Sequence, residues 1–426
     1  MQLSINPTEN YSIASVTKPD SEIVKAIITA DTHQENSLEL QAVHNLYADM
    51  LLSGAGEYSR EKFLHAVNML GASIDIHVTD GKVTFILRGT AAQFNKLLKL
   101  FSTLILEPLF PADELTRVKS VTTNVLHQAK EDSKTIALNE LRNSFYGKAD
   151  RKYSYSIAQT MQEVPKTTLA DIQAFHSTVV DTKWCCTIAG NESTTKALES
   201  TLKKIQSKGT ARISTHKPKQ PKAALKLQNI PSRQNIDLSI GLPLPITRTH
   251  PDYIPLAFAI AILGKWGGFA GRLMSTVREK EGLTYGIYGQ LEGFTADEKG
   301  YFRIMTFFAP EKAVQGLNST FREIRKLYQS GVSQAEVDAF RTILVTQQTL
   351  TNDSLTRILS DFHGYHCEGY SVEEMKEHKK ALHDVTRADI NRVIGAYLNP
   401  ALVSISGAGP AAGVQKELKK WFTDVQ

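Results

Sequence analysis

Two periodicities run through the chain. Leu40, Val43, Leu46, Met50 and Leu51 recur at helical steps, so they share one apolar stripe. Leu70-Gly-Ala-Ser-Ile-Asp-Ile-His77 alternates instead, with the period of a half-buried strand. Pro111-Ala-Asp-Glu-Leu-Thr-Arg-Val118 opens a helix, and Ser333 with Glu336 reads as a capping box that opens another. The apolar run Trp184 to Ala189 reads as a buried strand. The longest apolar run, Tyr253 to Leu263, has 11 residues. A membrane-spanning helix needs about 20, so no span is expected.

The order of these elements repeats. Asp171-Ile-Gln-Ala-Phe-His-Ser-Thr-Val-Val-Asp-Thr-Lys-Trp-Cys-Cys-Thr-Ile-Ala-Gly190 reads as helix, connection and buried strand. Asp389 to Ala408 has the same order, offset by 218 residues, about half the chain. Threonines that can start a helix stand before both copies, at Thr167-Thr168 and Thr386. Leu70–His77 has a counterpart in Glu281-Gly-Leu-Thr-Tyr-Gly-Ile-Tyr288, and the two helix openings correspond as well. So long a period excludes a solenoid and points to two duplicated halves. Strands and helices mix without a strict βαβ rhythm. The expected fold class is therefore α+β: two similar domains, each a mixed, largely antiparallel sheet with helices packed on one face.

Length agrees with this division. At about 150 residues per domain, 426 residues suggest two to four units. Hydrophobic residues are 42% and charged residues 22%, which excludes a disordered or low-complexity chain. Lys203 to Lys226 holds seven Lys, one Arg, no acid, and prolines at 218 and 221. Such a stretch reads as a stiff, self-repelling linker. The expected division is 1–205, a basic linker 206–226, and 227–426. The linker lacks interleaved aromatics and the net charge is only +5, so nucleic acid is not an expected partner. Cys185 and Cys186 are adjacent and too close to bond to each other, and they read as buried strand thiols. Met1 to Asn10 has neither a basic n-region nor an apolar h-region. As numbered, the chain reads as cytoplasmic, and as periplasmic if a signal peptide has been removed.

Several segments together resemble one family. Leu263-Gly-Lys-Trp-Gly-Gly-Phe-Ala-Gly-Arg-Leu-Met-Ser-Thr-Val-Arg-Glu-Lys-Glu-Gly-Leu-Thr-Tyr285 resembles the second-half signature of the insulinase-like (pitrilysin) metallopeptidases. Met50-Leu-Leu-Ser-Gly54 resembles the stretch after that family's zinc motif, and Leu70 to Gly89 the strand pair that follows. The resemblance implies a metallopeptidase-like (LuxS-like) fold in duplicated halves and, in active members, zinc-dependent peptide cleavage in an enclosed chamber. Active members carry His-x-x-Glu-His on a helix, where i, i+3 and i+4 share a face. The histidines bind zinc, the glutamate activates water, and a further glutamate downstream completes the ligands.

This chain departs from that pattern at every ligand position. Asn45, Ala48 and Asp49 stand where His, Glu and His would be, and Val125 and Leu126 where the downstream acid would fall. Alanine, valine and leucine offer no donor atom, and Asn with Asp does not replace two imidazoles. No metal is expected there, and no cofactor in this chain. His44 has only Tyr47 and Ala48 as helical-face neighbours and reads as a structural or exposed histidine. His363-Gly-Tyr-His366-Cys367, with Asp361 nearby, has ligand chemistry but no second ligand pair at a suggestive spacing. Gly267, Gly268 and Gly271 lack the residues of a phosphate loop and read as a tight turn before a helix.

In the family, the second half supplies an Arg and a Tyr that reach towards a peptide held at zinc. Arg278 and Tyr285, seven residues apart, match them. Their donors could support a peptide carbonyl or the oxyanion formed from it. The structural alternative is a solvated helix-end charge and an ordinary strand aromatic. Ile74, Asp75, Ile76 and His77 match an edge strand that pairs with peptide in active relatives, and strand addition needs no metal. The resemblance thus implies a zinc-free subunit of a heterodimeric peptidase. Its partner would be a homologous chain bearing His-x-x-Glu-His, with zinc in that partner and peptide as substrate. A homodimer is the arrangement open to it when alone. The alternative is a non-enzymatic scaffold or peptide-binding protein.

Overall fold

The computed structural model describes residues 2–18, 20–205, 218–264, 271–351 and 354–425. It divides into two compact units. Unit 1 comprises Met1–His127, Tyr155–Ser214 and Thr349–Glu377; unit 2 comprises Gln128–Ser154, Thr215–Gln348 and His378–Gln426. Unit 1 is built on strands β1 (Gln2–Pro7), β2 (Tyr11–Thr17), β3 (Ile23–Asp31), β4 (Ser73–Thr79), β5 (Lys82–Thr90) and β6 (Trp184–Gly190). Unit 2 is built on β7 (Leu225–Asn229), β8 (Ile236–Pro243), β9 (Ile287–Glu292), β10 (Tyr301–Phe308) and β11 (Ser404–Gly409). Five helices matter below: α1 (Leu38–Leu51), α2 (Ser133–Phe145), α3 (Leu169–Asp181), α4 (Leu355–Cys367) and α5 (Arg387–Tyr397).

The two sheets are copies of one plan. Unit 1 runs β1-β2-β6-β3-β5-β4, and unit 2 runs β9-β10-β8-β11-β7. Reading the second backwards matches β7 to β2, β11 to β6, β8 to β3, β10 to β5 and β9 to β4. The single parallel pair falls at the same place in each, β2 with β6 and β7 with β11. The repeat extends to the helix starts. Thr168 and Asp171 form a capping box at α3, and Thr386 with Asp389 forms one at α5. Each box satisfies two backbone amides at the helix start and is worth about 1 kcal/mol.

One face of each sheet carries the main core. In unit 1, Ile28, Phe85, Leu87, Trp184 and Ile188 meet Leu46, Met50 and Phe175. In unit 2, Leu238, Ile240, Phe302 and Ile405 meet the helix Tyr253–Gly264, whose near-uniform burial explains its unbroken apolar sequence. Among the described residues, no helix is long and apolar enough to cross a membrane.

Pattern reading places helices on one face only, but the second face of each sheet is covered too. In unit 1, Ala14, Val16, Ile27 and Ala189 pack against Leu359, Phe362 and Tyr365 of α4. In unit 2, α2 lies on β8 and β11, with Leu141, Phe145 and Tyr146 against Tyr301. Each unit thus takes one helix from the other half of the sequence. The linear division 1–205 and 227–426 is interleaved by that exchange, which local patterning cannot register. The basic stretch also ends early. Leu225 and Lys226 already belong to β7, where Leu225 and Leu227 turn towards the core and Lys226 and Gln228 face out. Residues 206–217 lie outside the described residues.

Candidate functional site

Helix α1 begins at Ser37, whose side chain accepts from the Leu40 amide. Ala42, Val43, Leu46, Tyr47, Met50 and Leu51 are buried along it. Tyr47 pins it to α3: its hydroxyl lies 2.8 Å from His176 Nδ1, and His176 Nε2 lies 2.9 Å from the Ile105 carbonyl. Burial lowers the His176 pKa, and both ring nitrogens have partners. His44 is structural as expected. Its ring packs 4.9 Å from Phe175, and burial pushes its pKa down to about 4.

The outward face is where the zinc set would stand. Asn45 is exposed and donates to the Gln41 carbonyl at 2.7 Å. Asp49 is exposed, Ala48 is half-buried, Val125 is exposed and Leu126 is buried. The helix keeps its buried side and has no converging ligand set on the other.

The second-half signature is built differently. Residues 265–270, which include Gly267 and Gly268, lie outside the described residues. Gly271 has φ +115°, and a Cβ there would meet the Gly264 backbone at 2.8 Å, so only glycine fits. Arg272 then forms a two-pronged pair with Glu336, at 2.7 and 2.9 Å, and donates to the Gly331 carbonyl at 2.8 Å. Glu336 also receives the Ser333 amide, so the capping box read from sequence is also the clamp on Arg272. Burial works to raise the Glu336 carboxyl, but Arg272 and Ser333 overcome it and hold it at about 2. Its stabilisation is complete above the ordinary glutamate value of about 4.3 and is lost as pH falls towards 2. Glu336→Gln is expected to flatten the fall in melting temperature across that window. A slope equal to that of the unsubstituted chain would contradict it.

Beyond the clamp, Met274–Lys280 winds as a wide π-type turn, a geometry frequent at functional sites. It presents Arg278. Glu281 to Gly286 is not strand, because Gly282 at φ +61° bends the chain and Thr284 bonds back to Gly286. The strand starts only at Ile287. Tyr285 therefore stands on a loop, 77% exposed, with the Arg278 guanidinium 5.1 Å from its ring centre. The structure brings the two residues singled out by sequence into one contact.

Ile74, Asp75, Ile76 and His77 lie on β4. Among the described strands β4 pairs only with β5, so it is an edge. Ile74 and Ile76 are buried and His77 is exposed.

Residues 166–344 match the family model described as the peptidase M16 inactive domain. That stretch resembles the inactive domain of the insulinase-like (M16) peptidases. The residues at the ligand positions of α1 agree with that resemblance to an inactive domain. The non-peptidase homolog YmxG of Helicobacter pylori is 19% identical over 360 residues, covering 83% of this chain and 81% of that relative. A solved peptidase M16 inactive domain from Pseudomonas fluorescens has 23% identity and a TM-score of 0.84, covering 96% of this chain and 98% of that one. A protease from Helicobacter pylori has 15% identity and a TM-score of 0.81, over 96% and 99%. A chain of Complex III2 from Candida albicans has 14% identity and a TM-score of 0.78, over 99% and 100%. The insulinase-like fold thus extends over nearly the whole chain.

One expectation is overturned. Cys185 is not a free strand thiol; it is disulfide-bonded to Cys367, with their Cα atoms 5.6 Å apart. Cys186 alone is free and buried, and burial raises its pKa. The partner of Cys185 lies 182 residues away, on the exchanged helix α4. Adjacent-residue reasoning could not find it. His363 and His366 on the same helix are also brought to Cys185.

Proposed function

We propose that this chain is the zinc-free subunit of a two-chain peptidase, and that its second unit supplies Arg278 and Tyr285 to a site whose zinc is held by a partner bearing His-x-x-Glu-His. The observation that supports this is the contrast between two surfaces. The metal face of α1 carries no imidazole pair, while Arg278 and Tyr285 are in contact with the tyrosine in solvent. An aromatic ring left 77% exposed contributes little to its own unit, and its placement suits a surface completed by another chain. Cleavage takes place on the partner, and peptide pairs along an edge such as β4 through main-chain bonds.

The alternative is a scaffold or peptide-binding role. The fold shared with a chain of Complex III2 and the homolog named non-peptidase support it. The mixing experiment separates the two. The purified chain is expected to cleave no peptide, with or without added zinc. Titrated into its zinc-motif partner, it is expected to raise peptide hydrolysis to a plateau at one chain per partner. Binding without any rise in hydrolysis would favour the scaffold.

A further inference from the structure

Helix α4 carries His363, His366 and Cys367 onto the face of the unit 1 sheet that presents Ser12, Thr29, Cys185 and Thr187. Four soft or borderline ligands meet there. Cys367 Sγ lies 3.3 Å from His363 Nε2, and Cys185 Sγ lies 3.4 Å from His366 Nδ1. The ligand atoms of Cys185, His363 and His366 all fall within 4.8 Å of one another. Zinc binds sulfur at about 2.3 Å and nitrogen at about 2.0–2.1 Å, so a tetrahedral ion sets its sulfur and nitrogen ligands about 3.5 Å apart. Both sulfur–nitrogen pairs have that spacing.

The outer partners fit as well. His363 Nδ1 is 2.9 Å from the Thr187 hydroxyl, and His366 Nε2 is 2.6 Å from the Ser12 hydroxyl. With the ring protons there, His363 Nε2 and His366 Nδ1 keep their lone pairs for a ligand, the usual arrangement at a metal-bound histidine. In the disulfide form those lone pairs face the hydroxyls of Thr29 at 2.9 Å and Thr187 at 3.1 Å. Thr29 has a second partner in Thr84 at 3.1 Å, so it can give up the first.

We propose that unit 1 carries a redox-gated zinc site: once the Cys185–Cys367 disulfide is reduced, the two thiolates, His363 Nε2 and His366 Nδ1 bind one Zn²⁺. A dithiol reductant supplies the two electrons and two protons, and its own sulfurs join as a disulfide. The S–S bond of the protein opens to two thiols. Metal binding then releases both thiol protons to solvent. Reoxidation by a disulfide oxidant removes two electrons from the sulfurs, closes the bond and expels the ion. A Cys₂His₂ set selects zinc over hard cations. The sequence reading sets His363-Gly-Tyr-His366-Cys367 aside for want of a second ligand pair; Cys185 brings a further ligand from β6. The site does not depend on the peptidase reading.

The test uses the full chain, reduced with a dithiol, freed of it without air, and titrated with Co²⁺ as a coloured substitute for zinc. Thiolate-to-cobalt absorption and strong tetrahedral visible bands are expected to saturate at one ion per chain, and Zn²⁺ should then abolish them. The oxidised chain should give neither. Cys367 is exposed, so Cys367→Ser should leave the far-ultraviolet circular dichroism unchanged while weakening binding about 100-fold or more. His363→Gln should weaken it similarly. No thiolate band in the reduced chain, or undiminished binding by folded Cys367→Ser, would overturn the proposal.

Discussion

Replacing Glu298 by alanine is expected to cost unit 2 about 3–5 kcal/mol. Glu298 is 5% exposed and faces two cations that are almost as buried. Arg151 Nε lies 2.7 Å from one carboxylate oxygen and Lys152 Nζ 3.1 Å from the other. Burial works to raise the Glu298 carboxyl, yet Lys152 and Arg151 hold it at about 2. Lys152 moves the other way: desolvation outweighs the pull of Glu298 and lowers its pKa. The cluster is therefore costly to bury and stable only when complete. Removing the carboxylate strands two cations, although Lys152 keeps the Gly293 and Lys299 carbonyls at 2.6 and 3.0 Å. These bonds join the segment after α2 to the turn before β10, so the variant loosens the exchanged helix. Denaturant unfolding measures the loss. A change under about 1 kcal/mol would mean that the cations find water.

The architecture was legible because it is written locally and twice. Alternation gave the β4 strand, the helical stripe gave α1, and the 218-residue offset gave the duplicated order that the two sheets reproduce. Gly271 and the Ser333–Glu336 box were visible for the same reason: turn and cap chemistry is confined to a few residues. What escaped reading was long-range. The exchange of α2 and α4 leaves the local period of either helix unchanged. The Cys185–Cys367 bond and the histidines beside it depend on that exchange, so the spacing within 363–367 understated them. Glu281 to Tyr288 reads as a strand in sequence, because Gly-Leu-Thr-Tyr-Gly-Ile-Tyr alternates well enough. The positive φ of Gly282 and the Thr284 bonds put Tyr285 on a loop instead.

On the proposed function, Arg278→Ala is expected to lower peptide turnover by the two-chain complex about 10²–10³-fold. A guanidinium aimed at developing negative charge gains most where water is excluded, and on the free chain it is merely half-buried. The effect should therefore be confined to the complex. It should fall on kcat more than on KM, because charge on the carbonyl oxygen grows only towards the transition state. Lysine is a poor substitute, since it cannot reproduce both the guanidinium contact with the Tyr285 ring and the fork of donors. Tyr285→Phe keeps the stack and removes one hydroxyl, so the loss should be of the same kind and smaller.

The most direct measurement compares kcat of the complex carrying Arg278→Ala with Tyr285→Phe against the unsubstituted complex, at equal occupancy fixed by sedimentation. A fall of about 10²-fold or more with unchanged assembly is the predicted result. Equal kcat at equal occupancy would contradict a role for this chain in the partner's chemistry.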